Sequence, residues 1–218
     1  MIEIVREIEA VRRELGTGRL AAGEAKVVRL RRTYQAPIDD VWDALSNPER
    51  ITRWFLPISG DIRLGGRYQF EGNAGGEIRT CEPPNRLLVT WEMGDPSAAP
   101  SEVEIRLTRA GDSTSVELAH TAIVPDEFWD EYGPGAVGVG WDGGVLGLAL
   151  YLRGESVGKS AAEREAWQVS DEGRQFFTAS SAAWGAAYEA AGATPEAAAK
   201  AVANTTAFYA PPVSVGGR

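Results

Sequence analysis

Apolar residues recur at every second position through much of residues 26–122 and at every third or fourth position through much of residues 134–208. The first spacing predicts strands and the second helices. In KVVRLRRTYQAP, Val28, Leu30, Arg32 and Tyr34 alternate with Val27, Arg29, Arg31 and Thr33, a strand stopped by Pro37. Pro37 opens a helix with Asp39 and Asp40 in its first turn, where carboxylates suit the positive end of the helix dipole. Val41, Trp42 and Leu45 supply its buried face, and Asn47-Pro48 starts a second short helix through Trp54 and Phe55. Four further sets share strand faces: Tyr68 with Phe70; Leu87, Val89, Trp91 and Met93; Val103, Ile105 and Leu107; Val116, Leu118 and His120. Such alternation predicts an antiparallel sheet with one wet and one buried face.

The helical spacing begins at Pro134, with Trp141, Val145, Leu148 and Leu152 on a long helix rich in glycine. Those glycines cost helix propensity but allow another surface to approach closely, or leave room for a ligand. An acidic, aromatic insertion, PDEFWDEYG, precedes it. Beyond Gly154 the chain is Ala-rich, and the pattern predicts helices near 160–168, 171–191 and 194–208, the last capped by Thr194-Pro195. Residues 2–15 place Ile4, Val5, Ile8, Val11 and Leu15 at helical spacing, with a strand as the alternative, and GTGRLAAGEA reads as a connection. The expected organisation is an N-terminal segment over 1–25, a sheet-and-helix domain over 26–155, a C-terminal helical extension over 156–210 and a disordered tail over 211–218.

Composition narrows the function classes. The formal charge is −9, from 22 Lys plus Arg against 31 Asp plus Glu. Nucleic-acid binding draws most of its affinity from basic contacts to phosphate, so nucleic acid is not an expected partner. Cys81 is the only cysteine, which excludes an internal disulfide and a Cys-rich metal site and fits a reducing, cytoplasmic setting. The N-terminus lacks the apolar core of a signal peptide, and Val137–Leu152 carries Asp142 and falls short of about 20 spanning residues, so no membrane span is expected. No cofactor or metal pattern is present: EGNAGGEI reads as a hairpin turn, Asp126, Glu127, Asp130 and Glu131 do not follow a calcium loop, and Ser180-Ser181 lacks the context of a serine nucleophile.

The order strand, two short helices, about six strands and a long helix is that of the α+β helix-grip architecture. RTYQAPIDDVWDALSNPERITRWFLP, with Ala36, Pro37, Val41, Trp42, Ala44, Pro48, Trp54 and Phe55, then Gly65-Gly66, a strand ending in LAH and GWDGGVLGLALYL, resembles START-like (SRPBCC) proteins. Within that group the match is to heat-shock protein 90 ATPase activator homologues and polyketide-cyclase-like proteins, over about residues 26–153. The resemblance implies a curved antiparallel sheet of six to seven strands around a long helix. Between them it implies a cavity used in different members for lipids, hormones, polyketide intermediates or protein contacts.

Trp54, Phe55, Tyr68, Phe70, Trp91, His120, Trp141 and Val145 are the expected ligand-binding positions. His120, the single histidine, is the one acid–base candidate, with Asp142 and Tyr132 as partners to test. Arg32 shares the first strand's apolar face and is expected at the rim or in solvent. Cys81 is expected opposite Ile78 as an inert strand residue. The leading expectation is non-enzymatic binding of a small apolar or aromatic ligand. Its alternatives are a chaperone-partner role, as the resemblance implies, and cyclase chemistry at His120. Trp184, Tyr188, Phe208 and Tyr209 are expected to pack on the domain, with a homodimer through the C-terminal helices as the other arrangement.

Overall fold

The computed structural model describes residues 2–94, 99–158 and 160–211, so nearly all of the expected tail lies outside the described residues. The chain is α+β with the helix-grip fold. One antiparallel sheet holds β1 (Val11–Leu20), β2 (Gly23–Tyr34), β3 (Ile58–Gly60), β4 (Arg67–Phe70), β5 (Gly75–Glu82), β6 (Arg86–Thr90), β7 (Ser101–Ala110) and β8 (Ser113–Ala122). Their spatial order is β1-β2-β8-β7-β6-β5-β4-β3. Eight strands stand where six to seven were expected, the additions being the short β3 and, at the N-terminus, β1.

There α1 (Ile4–Glu9) ends early, and Val11–Leu20 runs as a strand paired residue for residue with Gly23–Arg32. The stretch read as a connection is therefore an edge strand and its hairpin. Its glycines misled the reading because they lower strand propensity. In the sheet they make room: a Cβ at Gly16 would stand 2.8 Å from the Arg29 guanidinium, and one at Gly18 would stand 3.0 Å from Val27.

Helices α2 (Ile38–Ser46) and α3 (Pro48–Trp54) follow β2, the second capped by the Asn47 side chain, which accepts from the Glu49 N–H at 3.0 Å. Pro37 is the N-cap of α2 rather than its first residue. After β8 come α4 (Asp126–Tyr132), α5 (Gly135–Leu152), α6 (Ala161–Gln168), α7 (Asp171–Ala190) and α8 (Pro195–Tyr209). Ser160 forms a capping box with Glu163, and Ser170 and Thr194 cap the two helices after it.

The long helix α5 is long and apolar enough to cross a membrane by length and composition. Here it is a core element, held between the sheet and the pair α7–α8. One continuous apolar core joins Val28, Leu30 and Leu118 of the sheet to Val139 and Leu146 of α5, and these to Phe176, Phe177 and Trp184 of α7. The C-terminal helices are thus built onto the back of α5. The N-terminus is tied to them as well, since the Ile2 N–H donates to Glu172 at 2.7 Å.

Candidate functional site: an apolar cavity under the long helix

Between α5, α3 and the sheet lies a cavity of about 140 Å³ with almost wholly apolar walls. Each wall follows from local periodicity. Every second residue of β2, β6, β7 and β8 turns inward, giving Leu30, Leu87, Val89, Val103, Ile105, Val116 and Leu118. The α5 face contributes Trp141, Gly144, Val145 and Leu148, while α3 and its end contribute Ile51, Trp54 and Phe55. Of the expected ligand-binding residues, Trp54, Phe55, Tyr68, Phe70, Trp91, Trp141 and Val145 all wall this one space.

The aromatics form a linked set. Phe55 meets Phe70 edge-on at 5.0 Å and lies nearly parallel to Trp141 at 6.4 Å, while Trp91 and Trp141 are 4.8 Å apart between ring centres. Three of their polar handles are satisfied, since Trp54 Nε1 donates to the Ala44 carbonyl at 2.9 Å, Tyr68 Oη to the Thr90 carbonyl at 2.7 Å and Trp141 Nε1 to His120 at 3.1 Å. Burial pushes the Tyr68 phenol well above its ordinary value, so it stays a neutral donor.

His120 does not wall this cavity. It faces a smaller hollow of about 30 Å³ with Lys26, Val28, Phe128 and Trp129. It also belongs to the partition between the two spaces. Trp141 Nε1 donates to His120 Nδ1 at 3.1 Å, which leaves the proton on Nε2, facing Ser101 Oγ at 3.1 Å. Ser101 Oγ in turn donates to the Trp91 carbonyl at 2.7 Å. Burial lowers the His120 pKa to about 4 and keeps the ring neutral near pH 7. Both ring nitrogens are engaged, and among the described residues no carboxylate bonds to the ring. Neither partner considered for acid–base work reaches it. Tyr132 belongs to the surface helix α4, and Asp142 is buried on the opposite side of α5, where its Oδ2 accepts from Arg13 Nε (3.0 Å), Ser180 Oγ (2.5 Å) and Trp184 Nε1 (3.1 Å). Desolvation raises the Asp142 pKa, opposed by Arg13.

Two positions differ from expectation. A register shift between Ile78 and Thr80 inserts one residue into β5, so Cys81 lands on the same face as Ile78 and walls the cavity. Arg32 is not at the rim: it is 8% exposed, walls the cavity, and its Nη2 donates to Glu7 at 2.6 Å. Glu7 comes from α1, 25 residues upstream, and no strand pattern could have signalled the pairing. Gly144 and Leu148 border the cavity as well, because they share a helical face with Trp141 and Val145. Among the described residues, no three or more His, Cys, Asp or Glu side chains are grouped to hold a metal ion.

A sheet gripping one long helix over an apolar cavity defines a START-like protein. The family described as "Activator of Hsp90 ATPase homolog 1-like protein" matches residues 35–152, and the chain belongs to it. Among solved structures, CalU16 from Micromonospora echinospora is similar in solution (37% identity, 83% of this chain and 96% of that one, TM-score 0.68). Its crystal structure gives 39% identity over 72% and 96% of the two chains, with a TM-score of 0.58. Protein MLL2253 from Mesorhizobium loti shares the fold at 20% identity, covering 59% of this chain and 96% of its own, with a TM-score of 0.50. No curated protein matches the chain.

Proposed function

We propose that this protein binds a small apolar or amphipathic ligand in the cavity between sheet and α5, without chemical turnover. The observation that carries the reading is the cavity itself: about 140 Å³ left open among Trp54, Phe55, Trp91 and Trp141 in an otherwise filled core. Interiors pack to crystal-like density, so a void of this size forfeits dispersion contacts that a ligand restores. Apolar cavities of about 150 Å³ hold benzene-sized molecules, which sets the part of a ligand that fits without rearrangement. His120 serves in this reading as a fixed acceptor that orients Trp141.

Native mass spectrometry of the protein from its own host, compared with the denatured mass, tests the reading. A co-purifying molecule of matching size supports it. A strictly empty protein that also takes up no aromatic or aliphatic probe would refute it. The family's description raises a chaperone-partner role, and a pull-down with chaperone ATPase turnover measured alongside checks that separately.

A further inference from the structure

Among the described residues that wall the cavity, Arg32 is the one with a fully buried side-chain nitrogen left without a partner. Arg32 carries five N–H donors on a rigid fork. Buried to 8% exposure, it donates one hydrogen bond, from Nη2 to Glu7, and its Nε–H is buried without an acceptor. A buried guanidinium normally persists only when its remaining protons are satisfied. Its neighbour on the same strand face, Tyr34, is also held loosely: its hydroxyl reaches the Val145 carbonyl at 3.3 Å, longer than an ordinary O–H···O bond. The guanidinium lies 5.5 Å from the centre of the Tyr34 ring, and both residues wall the cavity. Glu7 does not belong to Arg32 alone, because its other oxygen accepts from Arg153 at 2.8 Å. Arg153 in turn has a 3.5 Å contact with Glu155 at the surface, where solvent screens it. Of the other polar wall groups, Ser46 donates to the Trp42 carbonyl and Tyr68 to the Thr90 carbonyl, while Arg63 pairs with Asp61 at the exposed rim.

We infer that the cavity's ligand is an amphiphile, an apolar ring system or chain ending in an oxygen anion such as a carboxylate, which docks on Arg32 with Tyr34 beside it. This rests on the binding function proposed above and adds the chemical class and the orientation: charged end toward β2, apolar body among the tryptophans. An anion at Arg32 forms charge-assisted hydrogen bonds in a water-poor setting, where they are strong.

Two probes separate the inference from the reading beneath it: 2-naphthoate and the uncharged 2-naphthalenemethanol, titrated by calorimetry into wild type. The expected result is at least tenfold tighter binding of the carboxylate, with Arg32→Gln narrowing the ratio to within threefold. Arg32→Gln risks misfolding, so Arg32→Lys serves as a second variant and is expected to retain part of the preference. Equal binding of the two probes to wild type would overturn the anion inference and leave cavity binding standing. A preference lost in Arg63→Gln and kept in Arg32→Gln would overturn it too, by placing the anion at the exposed rim. Binding of neither probe would count against the ligand-binding function itself.

Discussion

The two sides of α5 are built on opposite principles. Toward α7 and α8 the helix is jammed: a Cβ at Gly138 would stand 2.2 Å from the Trp184 ring, and one at Gly135 would stand 2.7 Å from Thr205. On the cavity side Gly144 is slack, since a Cβ there would find Phe55 at an ordinary 3.5 Å, while one turn on a Cβ at Gly147 would meet the Trp54 carbonyl of α3 at 2.6 Å. Both sides keep a buried polar group short of partners: Asp142 on the jammed side accepts three hydrogen bonds on Oδ2 and none on Oδ1, and Arg32 across the cavity donates one. One glycine-rich helix is therefore packed closely from behind by the C-terminal helices and borders a cavity in front.

The largest expected effect is on the clamped side. Asp142→Ala leaves Arg13 buried without its partner and is expected to cost about 3–5 kcal/mol in denaturant melts. Replacing both with apolar residues (Arg13→Met with Asp142→Leu) should recover most of that loss, and a double variant worse than the single would contradict this account of the pair.

The partition comes next. His120 has a folded pKa of about 4, below the ordinary histidine value of about 6.5, so the unfolded chain takes up the proton first as pH falls. Its contribution is fully present above the unfolded value and is lost as pH falls toward the folded one, about 2 kcal/mol between pH 7.5 and pH 5. It is the chain's only histidine, so His120→Gln should flatten that slope in urea melts across the same range. An unchanged slope would mean the ring is not buried neutral.

Smaller still, Gly138→Ala sets overpacking against Trp184 against a gain in helix propensity, for a net loss of about 1–2 kcal/mol. Gly144→Ala gains the propensity with no clash and should raise stability by about 0.5–1 kcal/mol while weakening ligand uptake. If the two alanine variants behaved alike in thermal melts, the contrast between the two sides of α5 would be wrong.

Strands β2 and β4 to β8 and the helices from α2 onward other than α4 were legible as period-2 and period-3.6 patterns, because burial on one face forces that alternation. Three-residue β3 and the exposed α4 are too short or too polar to show one. Most of the cavity wall was legible too, since residues sharing a strand face stay together at any curvature. β1 was hidden because Gly16 and Gly18 serve neighbouring side chains rather than their own strand. Cys81 was misplaced because one bulged residue reverses strand parity for everything after it in β5. The Arg32–Glu7 and Arg13–Asp142 pairs were invisible because each joins elements far apart in sequence, and periodicity carries only local information. His120's parity was read correctly toward the interior, but its partners Trp141 and Ser101 emerge only when β7, β8 and α5 are brought together.

The measurement that bears most directly on the central claim is calorimetric titration of a benzene-sized apolar probe, toluene, into wild type and into a cavity-filled variant, Gly144→Leu, each shown to be folded by circular dichroism. The account predicts saturable one-to-one binding to wild type and at least tenfold weaker binding to Gly144→Leu. Equal affinity for the two folded proteins would place binding outside the cavity and contradict it.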